Sequence, residues 1–253
     1  MKHITAAIGN FDGIHIGHDE IIRNCIEIGN HNSQQKKIIT FEYEFLNISN
    51  SSKRMEKIYG KNGKIGSLRN YSIDDIIFYS LDEDTAKMSP EEFISEVLVD
   101  KLQIKNIVVG FNFRFGYKAM GDIGLLKYLS KKYDYNVRII DAIKKDDIVV
   151  SSSIIRTMIE DGEIESVNEL LMERYRMDLR DHDINKMPGN ILEFGNMNFA
   201  YPPSGKYLVF VNDRFRHIKI KNTGNEFLLE TENEMNTNLI EFIKKINWNN
   251  QKI

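Results

Sequence analysis

Residues 8–18 read IGNFDGIHIGH, and this glycine-rich turn with its two histidines decides the fold. The apolar run that precedes it, Ile4–Ile8, predicts a buried strand. After the turn, apolar residues recur from Ile21 to Ile26 at the spacing of one helix face. The turn therefore joins a strand to a helix, and open α/β sheets bind their ligands at such junctions.

The chemistry of this turn suits phosphate. The N-terminus of a helix presents unpaired N–H groups and a partial positive charge. His15 and His18 would add hydrogen-bond donors for the phosphate oxygens of a nucleotide. The alternative is a glycine-rich connection with two surface histidines, and the motif alone leaves that alternative open.

Outward from the turn, the chain alternates between strand and helix patterns. The helix that begins at Ser89-Pro90 carries the clearest start signal, with an N-cap, a proline and a capping-box glutamate. Such alternation predicts an α/β fold, with a Rossmann-like parallel sheet covered on both faces. The five predicted strands are Ile4–Ile8, Lys37–Phe41, Asp75–Leu81, Asn106–Gly110 and Asn136–Asp141.

The pattern changes after Tyr175, where prolines and glycines separate short alternating runs. These runs predict a small β-rich unit built from hairpins, and the last stretch, Asn238–Ile246, predicts a closing helix. We therefore expect two domains, residues 1–175 and 176–253. Residues 47–67 have the composition of a long loop and lack the spacing of a Walker motif.

Two further polar segments are predicted to share an edge of the sheet with the first. Residues 110–116 read GFNFRFG and follow a predicted strand, while residues 150–156 read VSSSIIR and open a helix. Because parallel strands end at the same edge, all three segments converge on one crevice. The alternatives are that the phenylalanines serve packing and that the serines serve only as helix caps.

The third segment combines the groups that bind a pyrophosphate. The hydroxyls of Ser151 and Ser152 stand at a helix start, and Arg156 follows about one turn later, where its fork can grip two phosphate oxygens. No arrangement of cysteine, serine, histidine and acid suggests a covalent intermediate. The segments therefore favour a direct in-line displacement at phosphorus, driven by positioning and electrostatics.

Composition narrows the partners. The net charge of −3 gives no reason to expect nucleic acid, and no apolar run is long enough to cross a membrane. The single cysteine, Cys25, excludes an internal disulfide and is expected to be a small buried hydrophobe. The remaining histidines are scattered, so we expect no protein-held metal. We expect a cytoplasmic protein acting on small molecules, and the sequence does not indicate its oligomeric state.

Together the three segments resemble the bacterial FAD synthetase family, the bifunctional riboflavin kinase/FMN adenylyltransferases. That family carries a GNFDGVHxGH-like segment, a GFDFRFG-like segment followed by Gly-Asp, and an ISSTxIR-like segment. The resemblance covers residues 1 to about 175 and implies a nucleotidyltransferase domain. It also implies the reaction, in which FMN attacks the α-phosphate of ATP and yields FAD and pyrophosphate, with Mg²⁺ carried by the ATP phosphates.

The resemblance implies roles for residues at the matching positions. The catalytic residues would be His15, His18, Asn112, Ser152 and Arg156. The nucleotide-binding residues would be Gly9, Asn10, Phe11, Asp12, Gly13, Gly17, Ser151 and Ser153. The flavin-binding residues would be Phe111, Phe113, Arg114, Phe115 and Gly116.

The chain departs from the family pattern in two places. After the second strand it reads TFEYEF at residues 40–45, where the family has a TFDPHP-like turn, and the carboxylates of Glu42 and Glu44 would repel a phosphorylated acceptor if they pointed inward. The GRGxxLGFPTAN-like segment that opens the family's kinase domain has no counterpart after Tyr175. We therefore expect no riboflavin kinase activity, and residues 176–253 to be a short β-rich remnant of that domain.

Two other functions remain open on these residues. One is a nucleotidyltransferase that acts on another phosphorylated acceptor, which the altered turn at residues 40–45 favours. The other is a non-catalytic relative that binds flavin or nucleotide. The intact histidines disfavour a pure binder, which has less need of contacts to a transition state.

Overall fold

The computed structural model describes residues 3–42, 56–82, 85–195 and 198–246. These residues form two compact units. The first comprises the described parts of Met1–Phe11, Gly17–Ser52 and Arg69–Val149. The second comprises the described parts of Asp12–Ile16, Lys53–Leu68 and Val150–Ile253.

The first unit is built on a parallel sheet of five strands. Their bounds are β1 Ile4–Ile8, β2 Gln35–Glu42, β3 Asp75–Ser80, β4 Ile104–Gly110 and β5 Asn136–Ile140, in the spatial order β3-β2-β1-β4-β5. The helices of this unit are Ile16–His31 (from Gly17 onward), Pro90–Glu92 with its wider π-helical continuation Phe93–Lys101, and Ile123–Tyr133. A short hairpin of β6 Lys144–Lys145 and β7 Ile148–Val149 completes it. The predicted α/β fold with a parallel sheet is confirmed.

The order of the strands reverses at β1. Strand β2 pairs with one side of β1 and β4 with the other, both in parallel register. Such a switch point leaves a crevice at the carboxyl ends of the two central strands. The segments that follow β1 and β4 begin at Gly9 and at Gly110, so the fold places the starts of the first and second motifs at the same edge of this sheet.

The helix starts in this unit follow the sequence signals. Ser89 Oγ accepts a hydrogen bond from Glu92 N at 3.2 Å, and Glu92 Oε2 accepts one from Ser89 N at 2.7 Å. This is the reciprocal capping box that the sequence predicts. Asp122 caps Ile123–Tyr133 through a single side-chain bond, from Leu125 N to Asp122 Oδ1 at 2.9 Å.

The second unit is built on an antiparallel sheet of seven strands. Their bounds are β8 Arg176–Asp178, β9 Ile184–Met187, β10 Ile191–Phe194, β11 Gly205–Val211, β12 Arg214–Asn222, β13 Phe227–Thr231 and β14 Leu239–Ile246, in the order β8-β14-β11-β12-β13-β10-β9. Its helices are Lys61–Leu68, Ser152–Asp161 and Ile164–Leu170. The predicted β-rich unit is confirmed.

The predicted closing helix is wrong, because Leu239–Ile246 is a strand. Its apolar residues fit both a helical and an alternating period, and the sequence alone cannot separate the two. In the structure, Ile240 and Phe242 are buried while their neighbours are more exposed, which is the alternation of a strand. Pairing with β11 on one side and with β8 on the other settles the conformation.

Two other expectations are refined. The loop predicted over residues 47–67 contains the helix Lys61–Leu68, while residues 43–55 lie outside the described part of the chain, as do most of the altered residues after β2. The compact units divide near residue 150, and two short earlier segments, Asp12–Ile16 and Lys53–Leu68, also belong to the second unit, so the units do not follow the expected boundary at 175. The boundary at 175 marks where the resemblance to the family ends, and it stays a prediction.

Across the described residues, no helix is long and apolar enough to span a membrane.

Candidate active site

The turn after β1 is fixed to its neighbouring strand. Gly9 N donates to Ile39 O at 3.1 Å, and Thr40 Oγ1 donates to the Asn10 carbonyl at 2.9 Å. Phe11 is fully buried and has a left-handed backbone with φ of 45°. Its ring lies 5.2 Å from the ring of His18, which is half-exposed near the start of the first helix. Phe11 therefore supports His18 from beneath, and of these two rings only His18 is presented to solvent.

The second motif divides its side chains between core and solvent. Phe113 and Phe115 are buried, with ring centroids 5.5 Å apart in a stacked arrangement. Phe111, Asn112 and Arg114 are exposed. The packing alternative therefore describes Phe113 and Phe115, and the surface that this motif offers to a ligand consists of the other three side chains.

Glycines let this second motif turn back on itself. Gly116 has φ of +71°, and a Cβ at this position would lie 2.6 Å from the backbone of Pro90. Phe115 and Gly121 exchange two backbone hydrogen bonds, and a Cβ on Gly121 would lie 2.7 Å from the Phe115 ring. Gly116 is thus required by the path of the chain, which accounts for it without a flavin contact.

In the second unit, Asp12 organises the predicted phosphate-binding residues. Its carboxylate is 8% exposed and accepts hydrogen bonds from Ile58 N at 3.0 Å, Tyr59 N at 2.9 Å and Arg156 Nη1 at 2.9 Å. A buried carboxylate is tolerated only with such partners. The sequence placed Asp12 among nucleotide-binding residues, but in the structure both its oxygens are engaged by the protein.

Arg156 is oriented before any ligand arrives. Its Nη1 is paired with Asp12, and its Nη2 donates to Ser153 Oγ at 3.2 Å. The side chain is 15% exposed. A guanidinium has five N–H donors in a rigid fork. The pairing with Asp12 therefore fixes the plane of the fork, and the donors not used by Asp12 and Ser153 are those available to a phosphate.

The serines of the third motif also have protein partners. Ser151 Oγ caps the helix Ser152–Asp161 by accepting from Ile154 N at 3.4 Å, so the capping alternative applies to Ser151. Ser152 Oγ donates to the Asp12 carbonyl at 2.6 Å. We call Asp12, Ser152, Ser153 and Arg156 the Asp12 cluster. It joins the first motif to the third within one unit.

His15 is buried, being 5% exposed, and its backbone forms an isolated antiparallel bridge with Leu171. Burial removes solvent from the charged ring and lowers the pKa of His15 to about 4. The imidazole is therefore neutral at pH 7, with one nitrogen as a donor and the other as an acceptor. Gly13, two residues earlier, has φ of +66° and leaves no room for a side chain beside Ile58.

Two other expectations concern metals and the thiol. Within the described ranges, no group of three or more His, Cys, Asp or Glu side chains is placed to hold a metal ion. Cys25 is fully buried, and burial raises the pKa of its thiol to about 12. It is therefore the small buried hydrophobe that the sequence predicts.

Sequence reasoning missed the residues that hold the Asp12 cluster in place. Ile58 and Tyr59 contribute backbone amides, and a backbone amide carries no residue-specific signal. Asp181, which caps the helix after them through Asn62 N and Gly63 N, lies far along the chain. The one available signal was Gly60-Lys61 before a helical stretch, a pair that lacks the spacing of a Walker motif and so attracted no role.

Comparison with known proteins agrees with these motifs. The family model for FAD synthetase matches residues 1–154. A bifunctional riboflavin kinase/FMN adenylyltransferase from Buchnera aphidicola subsp. Schizaphis graminum is 38% identical over 171 residues, which are 66% of this chain and 54% of the relative. The protein of the same description from Buchnera aphidicola subsp. Acyrthosiphon pisum is 31% identical over 232 residues, which are 90% of this chain and 72% of the relative.

This chain thus spans about half the length of the first of these relatives. A solved structure of a macrolide-efflux protein from Streptococcus pneumoniae is similar with a TM-score of 0.75 at 18% identity, covering 97% of this chain and 87% of that one. At this identity the likeness concerns the fold alone. The family model covers more than half of the chain and includes the histidine motif, the second motif and most of the third; the chain therefore belongs to the FAD synthetase family.

Proposed function

We propose that this chain is an FMN adenylyltransferase, which makes FAD and pyrophosphate from FMN and ATP. The observation that carries the proposal is that the family match over residues 1–154 includes both histidines of the first motif. The Asp12 cluster supports it, because Arg156 is held in one orientation in advance and so loses little freedom when it binds phosphate.

In the proposed reaction, a phosphate oxygen of FMN attacks the α-phosphorus of ATP, and the bond between this phosphorus and the oxygen that bridges the α- and β-phosphates breaks. Negative charge then builds on the α-phosphate and on the departing pyrophosphate. His15, neutral at pH 7, donates one N–H to the phosphates, and His18 donates from the first turn of its helix. Mg²⁺ carried by the ATP phosphates would supply further neutralisation of the phosphate charge.

Arg156 and the start of the helix Ser152–Asp161 bind the pyrophosphate portion in this proposal. The free N–H groups at that helix start carry partial positive charge, and the unpaired donors of the guanidinium lie one turn further on. Donors fixed before the reaction stabilise the transition state without having to reorganise. Ser152 contributes by holding the Asp12 carbonyl, and Ser153 by holding Arg156.

The flavin contacts are proposed for the exposed part of the second motif. Phe111 is 42% exposed and offers a ring face, while Asn112 and Arg114 offer donors. Phe113 and Phe115 keep this loop in shape from the core. Gly9, Asn10 and Gly17 are proposed to let the nucleotide approach the backbone of the first motif.

We further propose that the chain has no riboflavin kinase activity and works in the cytoplasm. The support for the first point is that residues 176–253 contain no counterpart of the segment that opens the family's kinase domain. The support for the second is that the single cysteine, Cys25, rules out an internal disulfide framework.

The test is product analysis after incubating the pure protein with Mg²⁺ and ATP, with either FMN or riboflavin as acceptor. FAD from FMN, with no product from riboflavin, is expected. FMN formed from riboflavin would contradict the absence of kinase activity. Tight binding of FMN without turnover would identify a non-catalytic relative.

One observation favours a second candidate function, in which a phosphorylated compound other than FMN is the acceptor. Glu42, at the end of β2, begins the stretch in which this sequence departs from the family's TFDPHP-like pattern, so the acceptor can differ from FMN. Pyrophosphate released with other phosphorylated acceptors, but not with FMN, would support a nucleotidyltransferase of different specificity.

A further inference from the structure

The second unit contains a segment, residues 57–68, that connects the Asp12 cluster to the C-terminal strands. We propose that Asp181 is a positioning residue for nucleotidyl transfer, acting through this segment on Asp12 and Arg156. The β-rich unit then serves as a scaffold for the nucleotide site. The proposal rests on the proposed function for its kinetic readout, and it has a structural readout of its own.

The first link joins the segment to the Asp12 cluster. The amides of Ile58 and Tyr59 donate to the Asp12 carboxylate at 3.0 and 2.9 Å. Gly13 approaches Ile58 so closely that a Cβ on the glycine would lie 2.9 Å from the Ile58 side chain. Since Ile58 and Asp12 are both buried, a shift of the segment moves the carboxylate that holds Arg156.

The second link joins the segment to Asp181. Asp181 Oδ1 accepts from Asn62 N and from Asn62 Nδ2, each at 2.9 Å, and its Oδ2 accepts from Gly63 N at 2.8 Å. The carboxylate thus caps the helix Lys61–Leu68 from a distant point of the chain. A Cβ on Gly60 would lie 2.4 Å from Asp181 Cγ, so the approach of this carboxylate requires a glycine.

Two further contacts fix the ends of the segment. Lys57 N donates to Asn198 O at 2.8 Å, and Ala200 N donates to Lys57 O at 2.9 Å, which adds Lys57 to the C-terminal chain as a short parallel bridge. Arg176, buried in β8, donates to Ser67 Oγ at 2.8 Å. The segment is therefore held before, within and after the turn that presents its amides to Asp12.

This arrangement explains why an acid so far along the chain matters to the site. The rate of an enzyme-catalysed reaction depends steeply on the placement of charged groups, and a misplacement of about 1 Å can lower that rate about a hundredfold. The Asp181 carboxylate is bonded to Asn62 and Gly63, so its effect on the Asp12 cluster passes through the amides of residues 58 and 59. That route predicts non-additivity between Asp181 and Arg156.

The kinetic test is a double-mutant cycle with Asp181→Asn and Arg156→Lys. Asp181→Asn keeps the size of the side chain and replaces one acceptor oxygen by a donor. We expect kcat/KM to fall about tenfold, mainly through kcat, and the same substitution to have less than a twofold effect when Arg156 is already lysine. Gly60→Ala, which displaces the Asp181 carboxylate, is expected to reproduce the loss.

The control is Tyr207→Phe, which removes the 2.7 Å bond to the Pro203 carbonyl in the same unit without touching the segment. It is expected to lower stability while leaving kcat/KM within twofold of wild type. Equal effects of Asp181→Asn in both Arg156 backgrounds, or an equal loss of activity in Tyr207→Phe, would overturn the positioning role.

The structural readout is amide hydrogen exchange at residues 58 and 59. In Asp181→Asn these amides are expected to exchange at least tenfold faster, while those of β12 keep wild-type protection. Unchanged protection at residues 58 and 59 would overturn the proposal. Amide exchange needs no substrate. A wild-type protein that makes no FAD would therefore contradict the proposed function, while the exchange measurement would still test the connection from Asp181 to the Asp12 cluster.

Discussion

The second motif and the Asp12 cluster differ in the interactions that maintain their conformations. At residues 110–116, stacked aromatic rings and tightly packed glycines shape the loop, and the polar side chains simply point outward. In the Asp12 cluster, a buried carboxylate pairs with the guanidinium of Arg156 and also accepts hydrogen bonds from two backbone amides of a neighbouring segment. The loop should therefore be sensitive to changes in volume, and the cluster to changes in charge and hydrogen bonding.

The histidines of the first motif give the largest expected effect. Replacing both His15 and His18 by alanine is expected to lower turnover about a thousandfold, because donors to the developing phosphate charge are lost. ATP affinity should change less than threefold, as measured by equilibrium binding. Turnover that survived in the double variant would show that neither histidine acts on the transition state.

Asp12→Asn tests the charge side of the comparison. It leaves Arg156 without its counter-charge and turns one accepting oxygen into a donor that faces an N–H group. We expect a loss of about 3 kcal/mol in the free energy of unfolding and about a hundredfold loss of kcat/KM. Denaturant titration and initial rates measure the two quantities.

The matched control is Asp75→Asn, which breaks a surface pair with Lys37 in which the Asp75 side chain is 53% exposed. Its effect on stability should stay below about 1 kcal/mol. If Asp12→Asn behaved like this control, the buried cluster would carry neither stability nor activity.

Phe115→Leu tests the packing side. Phe115 is 5% exposed and contacts the rings of Phe113 and Phe93, so the smaller side chain leaves a cavity and loses a stacked pair. The free energy of unfolding should fall by about 2 kcal/mol while KM for ATP stays within twofold. A large rise in KM for ATP with unchanged stability would reverse the roles assigned to the two regions.

Acidification gives the smallest expected effect. The folded chain keeps the His15 pKa at about 4, against an ordinary 6.5, because the ring is buried. Between these two values the unfolded chain binds more protons, so stability falls as the pH falls through this window. From pH 7 to 5.5 we expect His15 to contribute a loss of about 1 kcal/mol.

Denaturant titrations at the two pH values measure this slope. His182, whose pKa burial also lowers to about 4, adds to the loss in the same direction. The substitution His15→Gln should flatten the slope by the share of His15. An unchanged slope in that variant would show that the His15 ring is not buried and neutral in the folded chain.

The spacing of apolar residues along the sequence was sufficient to predict the strands of the parallel sheet, but it was insufficient to predict the last strand, Leu239–Ile246. The apolar runs of the first unit are short and bounded by turn residues, so local pattern and tertiary structure agree at β1, β2, β3, β4 and β5. In Leu239–Ile246 the spacing of the apolar residues suits two conformations, and only the partner strands select one. Those partners lie outside any local window of sequence.

For the candidate site, the sequence suggested residues, whose roles stay predictions, and missed the contacts that hold them in place. The alternation of FNFRF indicates a buried face shared by Phe113 and Phe115, which the structure has, but it also puts Phe111 on that face, and Phe111 is exposed. The partners of Asp12 could not be predicted, because Ile58 and Tyr59 act through their backbones and Asp181 acts through a helix cap. Such contacts depend on the path of the chain and leave no motif.

The most direct test of the central claim uses ATP labelled at its α-phosphate. With FMN and Mg²⁺, we expect the label to appear in FAD, with one pyrophosphate released for each FAD formed. No labelled FAD from the wild-type protein, while FMN and ATP are both bound, would contradict adenylyl transfer by this chain.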